Sequence, residues 1–146
     1  MKRFVRGFLS GILAILMISS IFCTVASAAV QSSAYLDSYS ATITPKSGRK
    51  LSITVDVEGV GSMTEIGAKT IYIYESEDGK SFERVATYKS SQYPEMMGSG
   101  TIYYKTPITH TGKTGYYYFA SVWVYAANKD GSDEKNYTTS VKQAIP

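Results

Sequence analysis

The sequence predicts an all-β protein, a two-sheet antiparallel sandwich of about seven strands behind an N-terminal signal helix. Three observations lead there. Apolar residues recur at every second position in several stretches, Leu51, Ile53, Val55 and Val57 being the clearest. Turn-forming Gly, Pro, Asn and Asp interrupt these stretches at short intervals. Beyond residue 28 no stretch has the 3.6-residue period of a long helix.

The N-terminus has a composition of its own. Lys2, Arg3 and Arg6 precede an apolar run from Phe8 to Val25, and Ala26-Ser27-Ala28 follows. Charged, apolar and small-residue segments in that order are what a secretory signal requires. The positive end stays on the cytoplasmic side, and the peptidase needs small side chains before the cut. Cleavage is expected after Ala28, or after Ala29. Ser10, Gly11, Ser19, Ser20 and Thr24 dilute the run and no charged stop follows it, which argues against a retained membrane anchor. Phe22 before Cys23 argues against lipidation. The expected division is a signal peptide at 1–28, a short polar leader at 29–34 and a β-sandwich domain at 35–146.

Removing the signal changes what the composition means. Residues 29–146 number 118, a size that can bury a core. Without Lys2, Arg3 and Arg6 the 15 basic residues of the chain become 12, equal to its 12 acidic residues. A formally neutral domain gives no electrostatic reason to expect nucleic acid as a partner, and membrane contact is expected only through the signal before cleavage. The single cysteine, Cys23, leaves with the signal, so the exported domain is expected to be disulfide-free, which is common in bacteria.

The strands follow in order. Residues 39–44 form the first, stopped by Pro45 and Lys46-Ser47-Gly48. In the second, Leu51, Ile53, Val55 and Val57 face the core while Ser52, Thr54, Asp56 and Glu58 face solvent. Ser62-Met63-Thr64-Glu65 fits a capping box, predicting one helical turn ended by Gly67. A third strand spans 70–74. Asp78-Gly79 supplies a hairpin turn, and residues 82–88 return from it. After a polar loop at 92–100 comes a strand at 101–105, with Pro107 at its end or on a sheet edge. Residues 116–125 form the longest strand, with Tyr116, Tyr118, Ala120, Val122 and Val124 on its core side. A polar loop at 128–134 and a closing strand at 137–141 complete the domain.

Two resemblances rest on these segments. The hairpin Tyr74-Glu75-Ser76-Glu77-Asp78-Gly79-Lys80-Ser81-Phe82 and the later Thr114-Gly115-Tyr116 resemble immunoglobulin-like and fibronectin type III sandwiches. In those folds a tyrosine at the start of the sixth strand anchors a corner, a role the resemblance gives to Tyr116. Leu51-Ser52-Ile53-Thr54-Val55, residues 61–68, Ile73-Tyr74-Glu75-Ser76-Glu77-Asp78-Gly79 and residues 112–118 resemble an uncharacterised family of small secreted proteins from Gram-positive anaerobes. Phe82 stands where many of those sequences carry tryptophan. The resemblance implies export from a Gram-positive bacterium and carries no activity with it.

Chemistry is sparse. His110 is the one histidine, it lies in the polar run Thr109-His110-Thr111-Gly112, and no G-x-S-x-G elbow is present to hold a serine nucleophile for it. A solvated loop histidine is expected, with no catalytic residues, no cofactor and no metal site. Zinc needs several converging His, Cys or carboxylate ligands. Residues 75–78 and 128–134 carry oxygen ligands that calcium favours, but in the second run the glycine falls one place early and no glutamate closes the loop, so both are read as hairpin turns.

The tyrosines carry the one functional signal. All 13 lie beyond the signal, too many for the strands to bury. If Ile71 and Ile73 face the core, Tyr72 and Tyr74 face out, with Tyr117, Trp123 and Tyr125 beside them on a neighbouring strand. Such a row either serves the sheet through cross-strand ring pairs or forms a ligand face for an extracellular protein or polysaccharide. The expectation is a secreted, non-enzymatic, extracellular or cell-wall-associated interaction module. A carbohydrate-binding module using the tyrosine face is the alternative, and a secreted hydrolase a remote one.

Overall fold

The computed structural model describes residues 33–146, so the expected signal, its cleavage site and most of the leader lie outside the described residues. Nine strands follow in order: β1 (Leu36–Lys46), β2 (Lys50–Met63), β3 (Glu65–Ser76), β4 (Glu83–Lys89), β5 (Met97–Gly98), β6 (Thr101–Thr111), β7 (Tyr117–Asn128), β8 (Gly131–Thr138) and β9 (Lys142–Gln143). They form two antiparallel sheets. One is three-stranded, in the order β1-β2-β6; the other has the order β4-β3-β7-β8, with β5 added to β3 and β9 to β7. The chain is an all-β antiparallel two-sheet sandwich, seven long strands and two of two residues.

The core lies between the sheets and follows from strand alternation. On β2, Leu51, Ile53, Val55 and Val57 are all at most 1% exposed, and Ile71, Ile73, Ala120, Val122 and Val124 face them from β3 and β7. Burying each of the larger side chains stabilises the fold by about 1.5–3 kcal/mol relative to exposure. The residues between them point outward, so each sheet also has a solvent face.

Several local expectations are corrected. Residues 62–65 form no helical turn, because β2 runs to Met63 and β3 begins at Glu65. The capping pattern is a local preference, and long-range pairing overrides it: Glu65 pairs with Ala127, and Met63 with Thr101. The Glu58-to-Met63 stretch instead holds an irregularity in the ladder, with Gly61 at a φ of 96°. Gly67 ends no helix. A Cβ on it would collide with the Met96 carbonyl oxygen, so its bare backbone is what lets the β4–β6 connection close over β3.

The closing hairpin is tighter than the sequence suggested. Residues 128–134 are not a loop: Asn128 pairs with Gly131 across Lys129-Asp130, and β8 starts at once. The Asn128 side-chain oxygen accepts the Asp130 N–H at 2.8 Å, a local bond that fixes the turn. Asp133 is spent elsewhere. Its carboxylate accepts the Ser33 hydroxyl and the Tyr35 N–H, the latter at 3.0 Å, so Ser33 of the expected polar leader is fastened beside β8. Pro107 lies within β6, on its edge of the three-stranded sheet, where no ladder hydrogen bond is lost.

Candidate functional site

The outer face of the six-stranded sheet is built chiefly by β3 and β7. With Tyr118, Ala120, Val122 and Val124 buried, the alternate residues Tyr117, Phe119, Ser121, Trp123 and Tyr125 point outward. On β3, Ile71 and Ile73 are buried, so Tyr72 and Tyr74 share that face. Register then sets the neighbours: Tyr74 lies opposite Phe119, Tyr72 opposite Ser121 and Thr70 opposite Trp123. On the far side, Asn136 of β8 lies opposite Trp123 and Thr138 opposite Ser121.

The five aromatic residues singled out in the sequence thus occupy one face, but they are not equivalent. Tyr74 stacks on Phe119 with ring centroids 4.7 Å apart and planes within 7°, and Phe82 meets the same Phe119 edge-on at 4.9 Å. The Arg84 guanidinium sits 5.0 Å from the Tyr72 centroid, and the Lys69 ammonium 4.6 Å from that of Tyr125. Tyr117 packs beside Gly79 of the β3–β4 turn. These rings support the sheet and one another. Trp123 differs: it is 38% exposed, and among the described residues it stacks on no other ring and carries no cation.

Phe82 and Phe119 complete the aromatic cluster and were missed in the sequence. For Phe119 the signal was present, because it has the same parity as Tyr117 and Trp123. Phe82 precedes β4 in a turn, where alternation says nothing. Lys69 also escapes periodicity. It is the extra residue of a bulge between Ala68 and Thr70, which turns it outward, 3.0 Å from the Glu134 carboxylate.

The immediate neighbours of Trp123, namely Thr70 and Asn136 across the strands and Ser121 on its own strand, are polar and uncharged, with Lys69, Glu134 and Lys89 next beyond them. Asn136 Nδ2 donates to Ser121 Oγ at 2.9 Å and to the Val122 carbonyl at 3.3 Å. With its amide so oriented, Asn136 keeps its oxygen as an acceptor, and the Ser121 hydroxyl keeps its proton to donate. Beyond Tyr125 the face runs into an open groove of about 600 Å³, lined among others by Thr64, Ser90, Ser91, Ser99 and Lys69. The groove exists because β4 leaves β3 at Thr70, and β5 takes up pairing only at Gly67 and Ile66.

The opposite sheet offers a different surface. Its outward positions include Thr42, Thr44, Ser52, Thr54, Asp56 and Glu58, with Tyr103 and Lys105 engaged with the Asp56 carboxylate. Tyr103 is 51% exposed, yet its hydroxyl is tied down to that carboxylate.

The titratable cluster of the molecule lies in the sandwich wall. His110 is not a solvated loop residue: it is half-buried in β6, where it follows the inward parity of Thr106 and Ile108. Its Nδ1 is 3.0 Å from the Tyr88 hydroxyl, and its ring lies 6.0 Å from that of Tyr118. Burial lowers its pKa below 6.5, the Glu75 charge opposing in part. The hydroxyl that bonds back to the chain upstream is that of Tyr118, not of Tyr116. The Tyr118 hydroxyl accepts the Lys113 N–H at 2.8 Å and donates to the Glu75 carboxylate, while Tyr116 is only half-buried. Burial and the bond to Glu75 push the Tyr118 phenol up to about 12. Burial works against Glu75 ionising, but hydrogen bonds from Lys113 and Tyr118 outweigh it and its pKa is lowered. Asp78 is held down to about 2 by the Ser81 and Lys80 N–H groups and the Ser76 hydroxyl, which close the hairpin turn. Among the described residues no three His, Cys, Asp or Glu side chains converge as metal ligands, and no helix is long and apolar enough to cross a membrane. Comparison with family models, with curated proteins and with solved structures finds no match.

Proposed function

We propose that this is a secreted, non-enzymatic interaction module that acts outside the cell, or on the cell wall, through the outer face of its six-stranded sheet. One observation carries the reading: the two solvent faces differ in kind. One bears hydroxyls, internally paired charges and the single ring of Tyr103, tied to Asp56; the other bears an aromatic cluster with Trp123 standing exposed among polar neighbours. An exposed ring on a rigid sheet is a ready contact surface, since little conformational freedom is lost when it is covered. The absence of chemistry is supported by His110 and Glu75 being engaged within the wall by Tyr88, Tyr118 and Lys113.

The strand order β1-β2-β6 against β4-β3-β7-β8, with a corner tyrosine bonded back to Lys113, supports an immunoglobulin-like or fibronectin type III-like type for the sandwich. The charged, apolar and small-residue order of residues 1–28 supports export, and the resemblance to small secreted proteins of Gram-positive anaerobes agrees with it. The test has two parts. Protein recovered from culture medium should begin at Ala29 or Val30 by intact mass. It should also adsorb to isolated cell-wall and extracellular material, with adsorption reduced by Trp123→Ala and kept by Thr54→Ala on the opposite face. A mass that retains residues 1–28, or adsorption indifferent to Trp123, overturns the proposal.

A further inference from the structure

Resting on that reading, we infer that the partner of this face is an uncharged polysaccharide of equatorially hydroxylated sugars, a β-linked glucan chain, with one sugar stacked on Trp123 and flanked by Thr70, Ser121 and Asn136. The inference starts from what surrounds the indole. Neighbouring strands stand about 4.8 Å apart, so Thr70 on β3 and Asn136 on β8 border the ring on its two sides, and Ser121 precedes it along β7. A pyranose with equatorial hydroxyls presents a face of C–H groups to an aromatic ring and directs its hydroxyls outward around the rim. Here the rim meets the Thr70 hydroxyl, the Ser121 O–H and the Asn136 amide oxygen. The two bonds from Asn136 Nδ2 hold that oxygen in place before any ligand arrives.

Charge gives an ionic ligand little to hold. Lys69 is engaged with Glu134 and the Tyr125 ring and Arg84 with Tyr72, which leaves Lys89, opposite Thr70 on β4, as a cation of this face without such a pair among the described residues. To gain more than that one charge an anionic glycan would have to break the existing pairs, whereas a neutral one leaves them in place. The pattern also fits a protein partner poorly. Protein interfaces draw their affinity from several desolvated apolar or arginine anchors packed together; here the most exposed ring is bordered by hydroxyl and amide groups, while the other rings of the face are taken up with one another, with Arg84 or with Lys69. The groove beyond Tyr125 carries Glu65 and Lys69 as well as the hydroxyls of Thr64, Ser90, Ser91 and Ser99, so a chain seated on Trp123 has a polar path in which to continue.

The experiment is affinity electrophoresis of the secreted protein in native gels containing soluble mixed-linkage β-glucan, set beside gels without it. The wild type should be retarded. Trp123→Ala should weaken binding at least tenfold, and Trp123→Tyr should restore part of it by restoring a stacking ring. Asn136→Ala should weaken it severalfold, while Tyr103→Ala on the other sheet should leave it unchanged. Thermal melting of each variant separates lost binding from lost folding. No retardation of the wild type, or retardation that survives Trp123→Ala, overturns the inference. If the protein adsorbs to wall material through Trp123 but ignores the glucan, the partner is a protein or a charged glycan; the inference then fails while the interaction face stands. If neither binding is seen, both fail.

Discussion

Replacing Tyr118 by phenylalanine removes one oxygen from the centre of the wall that joins the two sheets. The ring stays, fully buried, against Gly112, where a Cβ would come within 2.7 Å of the tyrosine Cζ. Two hydrogen bonds go. The Lys113 N–H loses its acceptor at 2.8 Å, and the Glu75 carboxylate loses a donor. A donor left unpaired costs about 1–3 kcal/mol when fully buried, less for the partly buried Lys113 N–H, and a bond to a charged group contributes about 1.5–3 kcal/mol. Glu75 keeps its bond to Lys113 Nζ at 2.6 Å, and its side chain is 11% exposed, so part of its loss is recovered. The net expectation is about 2–4 kcal/mol of destabilisation, a drop in Tm of roughly 10 °C for a domain of this size.

The assay is thermal and urea unfolding followed by far-UV circular dichroism, with Tyr116→Phe in parallel. Tyr116 precedes the strand, is half-buried, and holds only the Lys113 ammonium over its ring at 4.9 Å. Its hydroxyl should therefore be dispensable to within about 0.5 kcal/mol. The acid limb carries a second signature. Because the folded-state pKa of Glu75 is lowered, its contribution is present above its ordinary value of 4.5 and is lost as pH falls through the folded value. Tyr118→Phe removes one cause of that lowering, so the loss of stability below pH 4.5 should become shallower. A Tyr118→Phe protein as stable as wild type, or a Tyr116→Phe protein equally damaged, would refute the role given to the Tyr118 hydroxyl.

Other predictions follow the same logic of burial and partner. Val55→Asp, which puts a charge into a site 1% exposed, should cost several kcal/mol or abolish folding, while Thr54→Asp on the outer face should be mild; equal effects in urea unfolding would put the strand in the wrong register. His110 is surrounded by Tyr88, Tyr118 and Glu75, and its folded-state pKa is depressed. Its share of stability should be full above pH 6.5 and decline as pH falls from there toward the folded value. His110→Gln should flatten the stability profile just below pH 6.5, and a profile unchanged by that variant would contradict the buried placement.

How far the sequence could be read depended on whether burial or pairing dictated each element. On β2, one face is core and the other solvent, so alternation of Leu51, Ile53, Val55 and Val57 states the register outright. The same parity put Tyr72, Tyr74, Tyr117, Trp123 and Tyr125 on one face. It failed where a local pattern competed with a distant partner. The Ser62-to-Glu65 capping pattern lost to pairing with β6 and β7, and the charged residues of β8 look like a loop until β7 and the Asp133 contacts to Ser33 and Tyr35 are known. Within the run Tyr116-Tyr117-Tyr118, parity marks the buried ring but says nothing of which hydroxyl reaches Lys113. His110 was hidden by its polar neighbours Thr109 and Thr111, which point outward while it points in. That Trp123 alone of the five stays uncovered depends on Arg84, Lys69 and Phe119, whose positions only the folded sheet defines.

The central claim is that the outer face of the six-stranded sheet meets the partner, and Trp123 reports on it directly because it is the single tryptophan of the chain. Acrylamide quenching of its fluorescence, measured on the protein free and after adsorption to wall or extracellular material, is the most direct measurement. Free, the 38% exposed indole should be readily quenched. Bound, its emission should shift to the blue and quenching should fall severalfold, as expected for a ring taken out of water. Emission and quenching identical in the free and bound protein would contradict the account, since the partner would then sit elsewhere on the molecule.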